Sequence, residues 1–292
     1  MTVTIITGTS TGIGFETALQ LARAGHEVYA TMRSPERGSA ALLAAARAED
    51  LSLTVLQLDV DDNRSVESAV AEVLAKAKRI DVLVNNAGIG DLCVLEQTTD
   101  EMAHAMFETN FFGALRMIRA VLPGMRERRN GTIVNVSSVA GRVASMGSAL
   151  YAASKHALEA ASESLALEVK PFGVRVAIIE PGFFNTPIIG KATSTIAFDE
   201  TSPYVITERR IHAIYSSASV IGGNPRVVAE AIEHAIATDD PKMRYLVGVD
   251  AQVFADGREN VTDENWLEFG REMSEDAFWA EFAERFPMPA PQ

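Results

Sequence analysis

The sequence has 292 residues and a single cysteine, Cys93, so it forms no internal disulfide. Its five histidines are scattered and lack the spacing of metal ligands, so we expect no metal site. No apolar run approaches the roughly 18 residues that a membrane-spanning helix needs. Met1 leads directly into an apolar segment without a basic leader, and we therefore expect no membrane span, no export and a cytoplasmic location.

Positive charge is also scarce, because 26 Lys and Arg face 39 Asp and Glu, for a net charge of −13. Nucleic acid and anionic membranes attract clusters of basic side chains, so we expect no nucleic-acid partner. Much of the acidity lies in residues 251–292, which carry ten acidic and three basic side chains. Aromatic residues are interspersed there, and we expect one or two amphipathic helices that pack on the body or on another subunit.

Short apolar runs alternate with longer amphipathic stretches along most of the chain. The runs predict buried strands at residues 3–7, 27–32, 53–58, 81–85, 132–137, 174–179 and 244–249. The stretches between them predict helices at residues 14–24, 38–47, 63–78, 100–128, 151–170 and 225–238. This alternation predicts an α/β fold with a doubly wound parallel sheet of the Rossmann type.

The same pattern predicts how the chain is organised. We expect a single domain over residues 1–250, followed by an acidic C-terminal extension over residues 251–292. Residues 183–224 show no clear periodicity after the sixth predicted strand. Because ligands of such sheets bind beyond the carboxyl ends of the strands, we interpret this segment as a substrate-binding loop.

The stretch TGTSTGIG follows the first predicted strand and opens a helix. Gly8, Gly12 and Gly14 permit a tight turn and a close approach to a pyrophosphate, whose charge the helix N-terminus favours. The spacing differs from G-x-G-x-x-G, and an ordinary strand-to-helix turn is the alternative interpretation. After the second strand, Met32 and Arg33 stand where an NAD site usually offers a carboxylate, and Arg33, with Arg37 as a second candidate, suits a 2′-phosphate.

Further polar motifs end the later strands. Asp59 follows the third strand, NNAG the fourth, and Ser137 and Ser138 the fifth. Tyr151 and Lys155 are four residues apart, so they share one face of the next helix. A nearby cation favours the phenolate, and we therefore expect the pKa of Tyr151 to fall toward the range of a general acid or base.

In this order, the motifs resemble those of the short-chain dehydrogenase/reductase family, in its single-domain branch. The resemblance covers residues 3–186 and implies a proton-transfer role for Tyr151 during hydride transfer. It implies that Lys155 lowers the pKa of that phenol and binds the nicotinamide ribose. It also implies that Ser138 hydrogen-bonds the substrate carbonyl, and that Asn110 kinks its helix and steadies a water.

The resemblance also implies a set of cofactor contacts, with the glycine turn on the pyrophosphate and Thr186 on the nicotinamide carboxamide. The expected residues are Gly8, Thr9, Ser10, Gly12, Ile13, Gly14, Arg33, Asp59, Val60, Asn86, Ala87, Gly88, Tyr151, Lys155, Pro181, Gly182 and Thr186. Arg33 favours NADP, whereas Thr11 stands where many NADP users carry a basic residue. NAD therefore stays the alternative cofactor.

Two segments, EVYATMRSP and RYLVGVDA, are similar to those of hydroxysteroid and retinol dehydrogenases. This similarity implies a lipophilic alcohol or ketone as substrate, in a homodimer or homotetramer. The expected function is NADP(H)-dependent interconversion of a secondary alcohol and a ketone. An NAD-preferring dehydrogenase and a non-catalytic nucleotide-binding sensor or scaffold are the alternatives. We expect an apolar pocket lined by Val143, Met146, Leu150, Phe183, Phe184, Ile188, Ile189 and Ile196.

Overall fold

The computed structural model describes residues 1–194 and 200–287, and its centre is one parallel sheet of seven strands. The strand order is β3-β2-β1-β4-β5-β6-β7, which confirms the predicted doubly wound sheet. Because the order reverses beside β1, a crevice opens between the carboxyl ends of β1 and β4. The strands are β1 Val3–Ile6, β2 Glu27–Met32, β3 Leu53–Gln57, β4 Val82–Asn85, β5 Gly131–Val136, β6 Val174–Pro181 and β7 Arg244–Val247.

Apolar layers cover both faces of the sheet, which is why its central strands contain near-continuous apolar runs. Successive strand residues point to opposite faces. In β1, Ile6 therefore joins the layer that contains Leu19 and Ile232, while its neighbour Ile5 joins the layer that contains Val70 and Met117. This two-sided burial fixes the strand ends relative to one another and so fixes the crevice.

Thirteen α-helices surround the sheet within the described part of the chain. They are α1 Gly12–Arg23, α2 Pro35–Gly38, α3 Ala40–Ala48, α4 Asn63–Ala77, α5 Asp100–Phe107, α6 Gly113–Arg128, α7 Ala149–Val169, α8 Pro187–Ser194, α9 Val205–Ile221, α10 Arg226–Ala237, α11 Val249–Glu259, α12 Asp263–Glu268 and α13 Glu275–Arg285. None of the helices in this part of the chain is long and apolar enough to cross a bilayer.

The helix predicted over residues 100–128 is interrupted by a π-helical turn at Glu108–Phe112, between α5 and α6. Asn110 lies in this turn and is buried. Such turns place a side chain that a regular helix would direct elsewhere. The helix predicted at 38–47 corresponds to α3, Ala40–Ala48, and the short helix α2 that precedes it, Pro35–Gly38, was not predicted.

The prediction that residues 183–224 form an irregular loop is wrong, because the segment contains α8 and α9. Helix α9 buries the charged residues Glu208 and Arg210 together with Ile211. Burial of charged side chains removes the apolar periodicity by which a helix is recognised in sequence. Ile196, which we expected in the pocket, lies outside the described residues.

The C-terminal extension contains three helices rather than one or two, and the first begins at Val249. The helices are separate because Thr262 and Ser274 each accept a hydrogen bond at a new helix N-terminus, from Asn265 and Ala277 respectively. The extension packs on the body of its own chain, since the ring of Phe254 lies 5.7 Å from the ring of Phe183.

Candidate active site

A cavity of about 660 Å³ lies at the carboxyl ends of the strands, and residues of every predicted motif line it. Three of the expected site residues, Thr9, Gly14 and Asn110, stand behind its wall. The others face it, including Ser138, Tyr151 and Lys155. Of the residues predicted for an apolar pocket, Leu150 does not line this cavity, because its position at the start of α7 directs it elsewhere.

The glycine turn after β1 leaves room for a ligand. Gly8 and Gly12 adopt positive φ values of 72° and 60°, which favour glycine. A Cβ at Gly14 would meet the carbonyl oxygen of Gly8 and the side-chain amide of Asn86. Thr11 makes no capping hydrogen bond through its side chain to the described backbone, so the N–H groups that open α1 remain available to an anion.

Thr9 and Asn86 hold this turn in place. Thr9 donates its hydroxyl to the carbonyl of Thr31 at 3.1 Å, which ties the turn to β2. Asn86 donates its side-chain amide to the carbonyls of Thr7 and Gly8 at 2.9 and 3.0 Å. The NNAG motif therefore joins the end of β4 to the glycine turn.

Charged side chains mark the rim beyond the second and third strands. Arg33 is exposed and lines the cavity, and the half-buried Asp59 and Asp61 line it as well. Burial raises the pKa of Asp61, while its hydrogen bond from Thr109 and the charge of Arg33 oppose this rise. Sequence reasoning did not select Asp61, because it stands two residues past the aspartate that ends the strand pattern.

Ser138, Tyr151 and Lys155 come together in the middle of the cavity. All three side chains line it, and the Nζ of Lys155 lies 5.7 Å from the centre of the Tyr151 ring. Lys155 is 5% exposed and donates to the carbonyl of Val136 at 2.9 Å. Ser138 Oγ accepts a hydrogen bond from the N–H of Ala140 at 3.1 Å, which orients the hydroxyl.

The direction of the pKa shift expected for Tyr151 is wrong for the protein without cofactor. Burial raises the pKa of Tyr151 to about 12, although the hydrogen bond with Ser138 acts in the opposite direction. Burial also lowers the pKa of Lys155 to about 8, with the negative charge of Glu159 opposing it. Loss of solvation penalises both charged forms, so burial is the main cause of both shifts.

Asn110 connects two segments that line the cavity, from behind its wall. Its Oδ1 accepts the N–H of Ile89 at 2.8 Å, and its Nδ2 donates to the carbonyl of Ile89 at 3.0 Å. The same Nδ2 lies 3.0 Å from the hydroxyl of Ser154, the neighbour of Lys155 on α7. The π turn thus connects the loop after NNAG to the helix that carries Tyr151 and Lys155.

Asp250 is a second supporting residue, and sequence reasoning missed it. Its Oδ2 accepts the backbone N–H of Phe183, and a Cβ at Gly182 would meet its carboxylate. Gly182 also donates its N–H to the carbonyl of Val247 at 2.9 Å. The end of β7 and the start of α11 therefore anchor the loop that leads to Thr186. A lone aspartate in the first turn of a helix was the only signal.

A buried ion pair fixes the loop after Ser138. Arg142 donates its Nε to Glu180 at 2.9 Å, and the side chain of Glu180 is 0% exposed at the end of β6. Burial raises the pKa of Glu180 to about 7 despite the charges of Arg142 and Arg244. The next residue, Pro181, places its carbonyl 3.4 Å from the Ser138 hydroxyl. The serine is thus held from both sides.

A parallel sheet with an uncapped glycine turn beside a Ser-Tyr-Lys group in one cavity defines a dinucleotide-dependent oxidoreductase. Residues 2–197 match the family model of the short chain dehydrogenases. The chain belongs to the short-chain dehydrogenase/reductase family, and it is an enzyme that acts on CH–OH groups with NAD or NADP.

Two characterised relatives are similar over most of their length. The chain is 34% identical to 3-ketodihydrosphingosine reductase of Bacteroides thetaiotaomicron over 267 residues, which cover 91% of this chain and 95% of the relative. It is 38% identical to human retinol dehydrogenase 8 over 254 residues, covering 84% and 81%. The similarity to retinol dehydrogenases that the sequence indicated is confirmed.

Solved structures share the fold. A short-chain dehydrogenase from Streptomyces avermitilis matches with a TM-score of 0.79 and 35% identity, covering 92% of this chain and 96% of that one. Actinorhodin polyketide ketoreductase, solved with NADPH, matches with a TM-score of 0.73 and 29% identity, covering 84% and 95%. The likeness thus includes a protein of this fold that binds a nicotinamide cofactor.

Proposed function

We propose that the protein is an NADP(H)-dependent oxidoreductase that interconverts a secondary alcohol and a ketone on a lipophilic small molecule. The observation that carries this proposal is the meeting of Ser138, Tyr151 and Lys155 in one cavity with the glycine turn. An apolar lining that includes Val143, Met146 and Phe183 supports a lipophilic substrate.

The chain's residues fit a nicotinamide dinucleotide. The free N–H groups at the start of α1 would hold the pyrophosphate, and the small residues Gly8 and Gly12 leave space for it. Arg33 would pair with a 2′-phosphate, which favours NADP over NAD. When bound, the cofactor supplies or accepts the hydride, while the protein supplies positioning and a proton.

The catalytic groups would act on the substrate oxygen. Ser138 and Tyr151 would both hydrogen-bond the carbonyl, which places it for reduction. Because the pKa of Tyr151 is about 12, its phenol is protonated at neutral pH and can donate to the developing alkoxide. Lys155, with a pKa of about 8, is mainly an ammonium there and can return the proton to the phenolate. Alcohol oxidation reverses these steps.

The proposal is tested by mixing the purified protein with NADPH and a panel of ketones and following absorbance at the reduced nicotinamide band. We expect cofactor oxidation that depends on a lipophilic ketone and is slower with NADH. Absence of hydride transfer across broad panels of ketones and alcohols would favour the non-catalytic sensor. The intact Ser138, Tyr151 and Lys155 argue against that alternative.

Two further expectations accompany this function. We predict a homodimer or homotetramer, because α7 presents the small residues Ala153, Ala157, Ala160 and Ala161, which permit close helix packing. Light scattering that detects only monomers would contradict this. The cytoplasmic location also stays a prediction, which cell fractionation would test.

A further inference from the structure

We propose that the tail helices α11–α13 form a wall of the substrate cavity, which selects uncharged substrates whose apolar end is long enough to reach it. In this proposal, the contacts of Arg210 hold the wall against α9. The inference rests on the proposed function, since it concerns the substrate of the same site. It gives the acidic C-terminal extension a role in specificity.

The tail shares one cavity with the catalytic residues. Phe183, one residue past Gly182, packs edge-to-face on Phe254 of α11 with ring centres 5.7 Å apart. Phe254 in turn lies 4.8 Å from Phe286, beyond the end of α13. The larger tail side chains that line the cavity are Phe254, Trp266, Leu267, Phe269, Phe282 and Phe286. A substrate held at Tyr151 can therefore extend along this aromatic surface.

The charged side chains of the tail lie outside the cavity lining. None of the described tail residues that line the cavity is charged, although the extension carries ten acidic side chains. Apolar groups gain free energy on leaving water for such a surface. A carboxylate or phosphate would lose its hydration there, and the arginines that stack on Trp266 and Phe269, Arg258 and Arg285, are already paired with Asp263 and Glu281. The wall therefore favours a neutral lipophile over an anionic one.

Arg210 holds the tail against α9. It is 6% exposed, and its guanidinium carbon lies 4.1 Å from the centre of the Phe278 ring. Its Nε donates to Glu275 at 2.9 Å, and its Nη2 donates to the carbonyl of Met273 at 3.0 Å. All these partners belong to the tail. A buried arginine that loses such partners is strongly disfavoured, so the contacts fix the tail in position.

The same helix also contacts the loop after β6 that leads from Gly182 to Thr186, the cofactor loop. Tyr215 of α9 packs edge-to-face on Phe183, with ring centres 5.5 Å apart. Helix α9 thus contacts the tail through Arg210 and the cofactor loop through Tyr215. Displacement of the tail from Arg210 would open the far end of the cavity, while Ser138 and Tyr151 would remain in place.

The first experiment measures kcat/KM for methyl ketones from butanone to undecanone, which share the reacting group and differ in chain length. For the wild type we expect kcat/KM to rise about two- to fourfold per methylene once the chain reaches the wall. In Phe254→Ala and Arg210→Met, kcat/KM should rise less with chain length, because KM for the long ketones increases. The matched control is Trp279→Leu, since Trp279 is an aromatic tail residue outside the cavity lining. This variant should show the wild-type dependence of kcat/KM on chain length. An unchanged dependence in Phe254→Ala would overturn the proposal.

The charge selection has its own comparison. Undecanone and the same ketone with a carboxylate at its far end differ only in that group. We expect the wild type to prefer the neutral ketone at least about a hundredfold, because the carboxylate would be buried unpaired. Equal kcat/KM for the two would contradict the proposal. A thermal melt and limited proteolysis of Arg210→Met separate release of the tail from global unfolding. Release of the tail alone should leave the melting temperature of the body close to that of the wild type and speed proteolysis of the tail.

A binding measurement keeps this inference separate from the proposed function. The chain has two tryptophans, so Trp279→Leu leaves Trp266 in the cavity wall as the only one. A long secondary alcohol, undecanol with its hydroxyl on the second carbon, should shift Trp266 fluorescence to the blue, and butanol should not. The proposal fails if the long alcohol leaves the fluorescence unchanged. A shift without turnover of any ketone would instead contradict the proposed function alone.

Discussion

One half of the cavity is formed by the ends of β1, β4 and β5, and the other half by α9 and the tail helices. The first half is organised by individual polar groups, such as the amide of Asn86, which ties the glycine turn to β4. The second half presents aromatic rings that pack on one another, as Phe254 does on Phe286. The comparison suggests that chemistry and cofactor depend on single atoms in one half, while substrate choice depends on the apolar surface of the other.

The largest effect expected from breaking the first half follows from Lys155→Met. Turnover should fall about 10²- to 10⁴-fold, the range for loss of a positioned proton-transfer group. Steady-state kinetics with saturating NADPH measure it. Retention of more than a tenth of the wild-type kcat would remove Lys155 from the mechanism.

The same variant should also reveal what burial of the ammonium costs. The pKa of Lys155 is about 8 in the folded protein, below its ordinary 10.5, so the unfolded chain binds more protons between these values. The free energy of unfolding of the wild type therefore gains a contribution from Lys155 as pH rises from 8 to 10.5. Lys155→Met lacks this contribution. The free energy of unfolding of the variant relative to wild type should fall over this window in urea titrations. A constant difference would show that Lys155 titrates normally.

A smaller effect is expected at the rim, where Arg33 lies. Arg33→Asp should shift the ratio of NADPH to NADH affinity toward NADH by about 10- to 100-fold, because a charge-assisted hydrogen bond to the 2′-phosphate is replaced by repulsion. Arg37→Asp is the matched control, since Arg37 does not line the cavity and contacts Glu36 and Ser34 instead. Equal shifts in both variants would indicate a general effect of charge.

The smallest effect is expected where the two halves join, at Asp250. Asp250→Asn should raise the KM for NADPH about tenfold, because a neutral amide holds the N–H of Phe183 less strongly than a carboxylate does. Asp256→Asn, at an exposed position on the same helix, should leave that KM within twofold of the wild type. A change in kcat with an unchanged KM would show that Asp250 affects the reaction step rather than cofactor binding through the cofactor loop.

The polar half of the cavity could be predicted from the sequence because its requirements are local. Gly8 and Gly12 need positive φ values, and Tyr151 and Lys155 share a helix face whatever packs around them. The buried strands were recognisable for the same reason, since each is a short apolar run. The structure brings these residues together as the motif order indicated.

The apolar half could not be predicted, because its contacts join residues far apart in sequence. Arg210 and Glu275 are separated by 65 residues, and neither resembles a helix-packing position. The direction of the Tyr151 pKa also depended on tertiary structure. Four-residue spacing indicates that an ammonium is near, but only the fold determines how much solvation the phenol loses.

The most direct test of this account is the single-turnover rate of ketone reduction by Tyr151→Phe, measured beside the dissociation constant for NADPH. The account predicts that hydride transfer slows about 10²- to 10⁴-fold, while cofactor affinity stays within a few-fold of the wild type. Near-normal hydride transfer by the phenylalanine variant would contradict it, because no phenol would then be donating the proton.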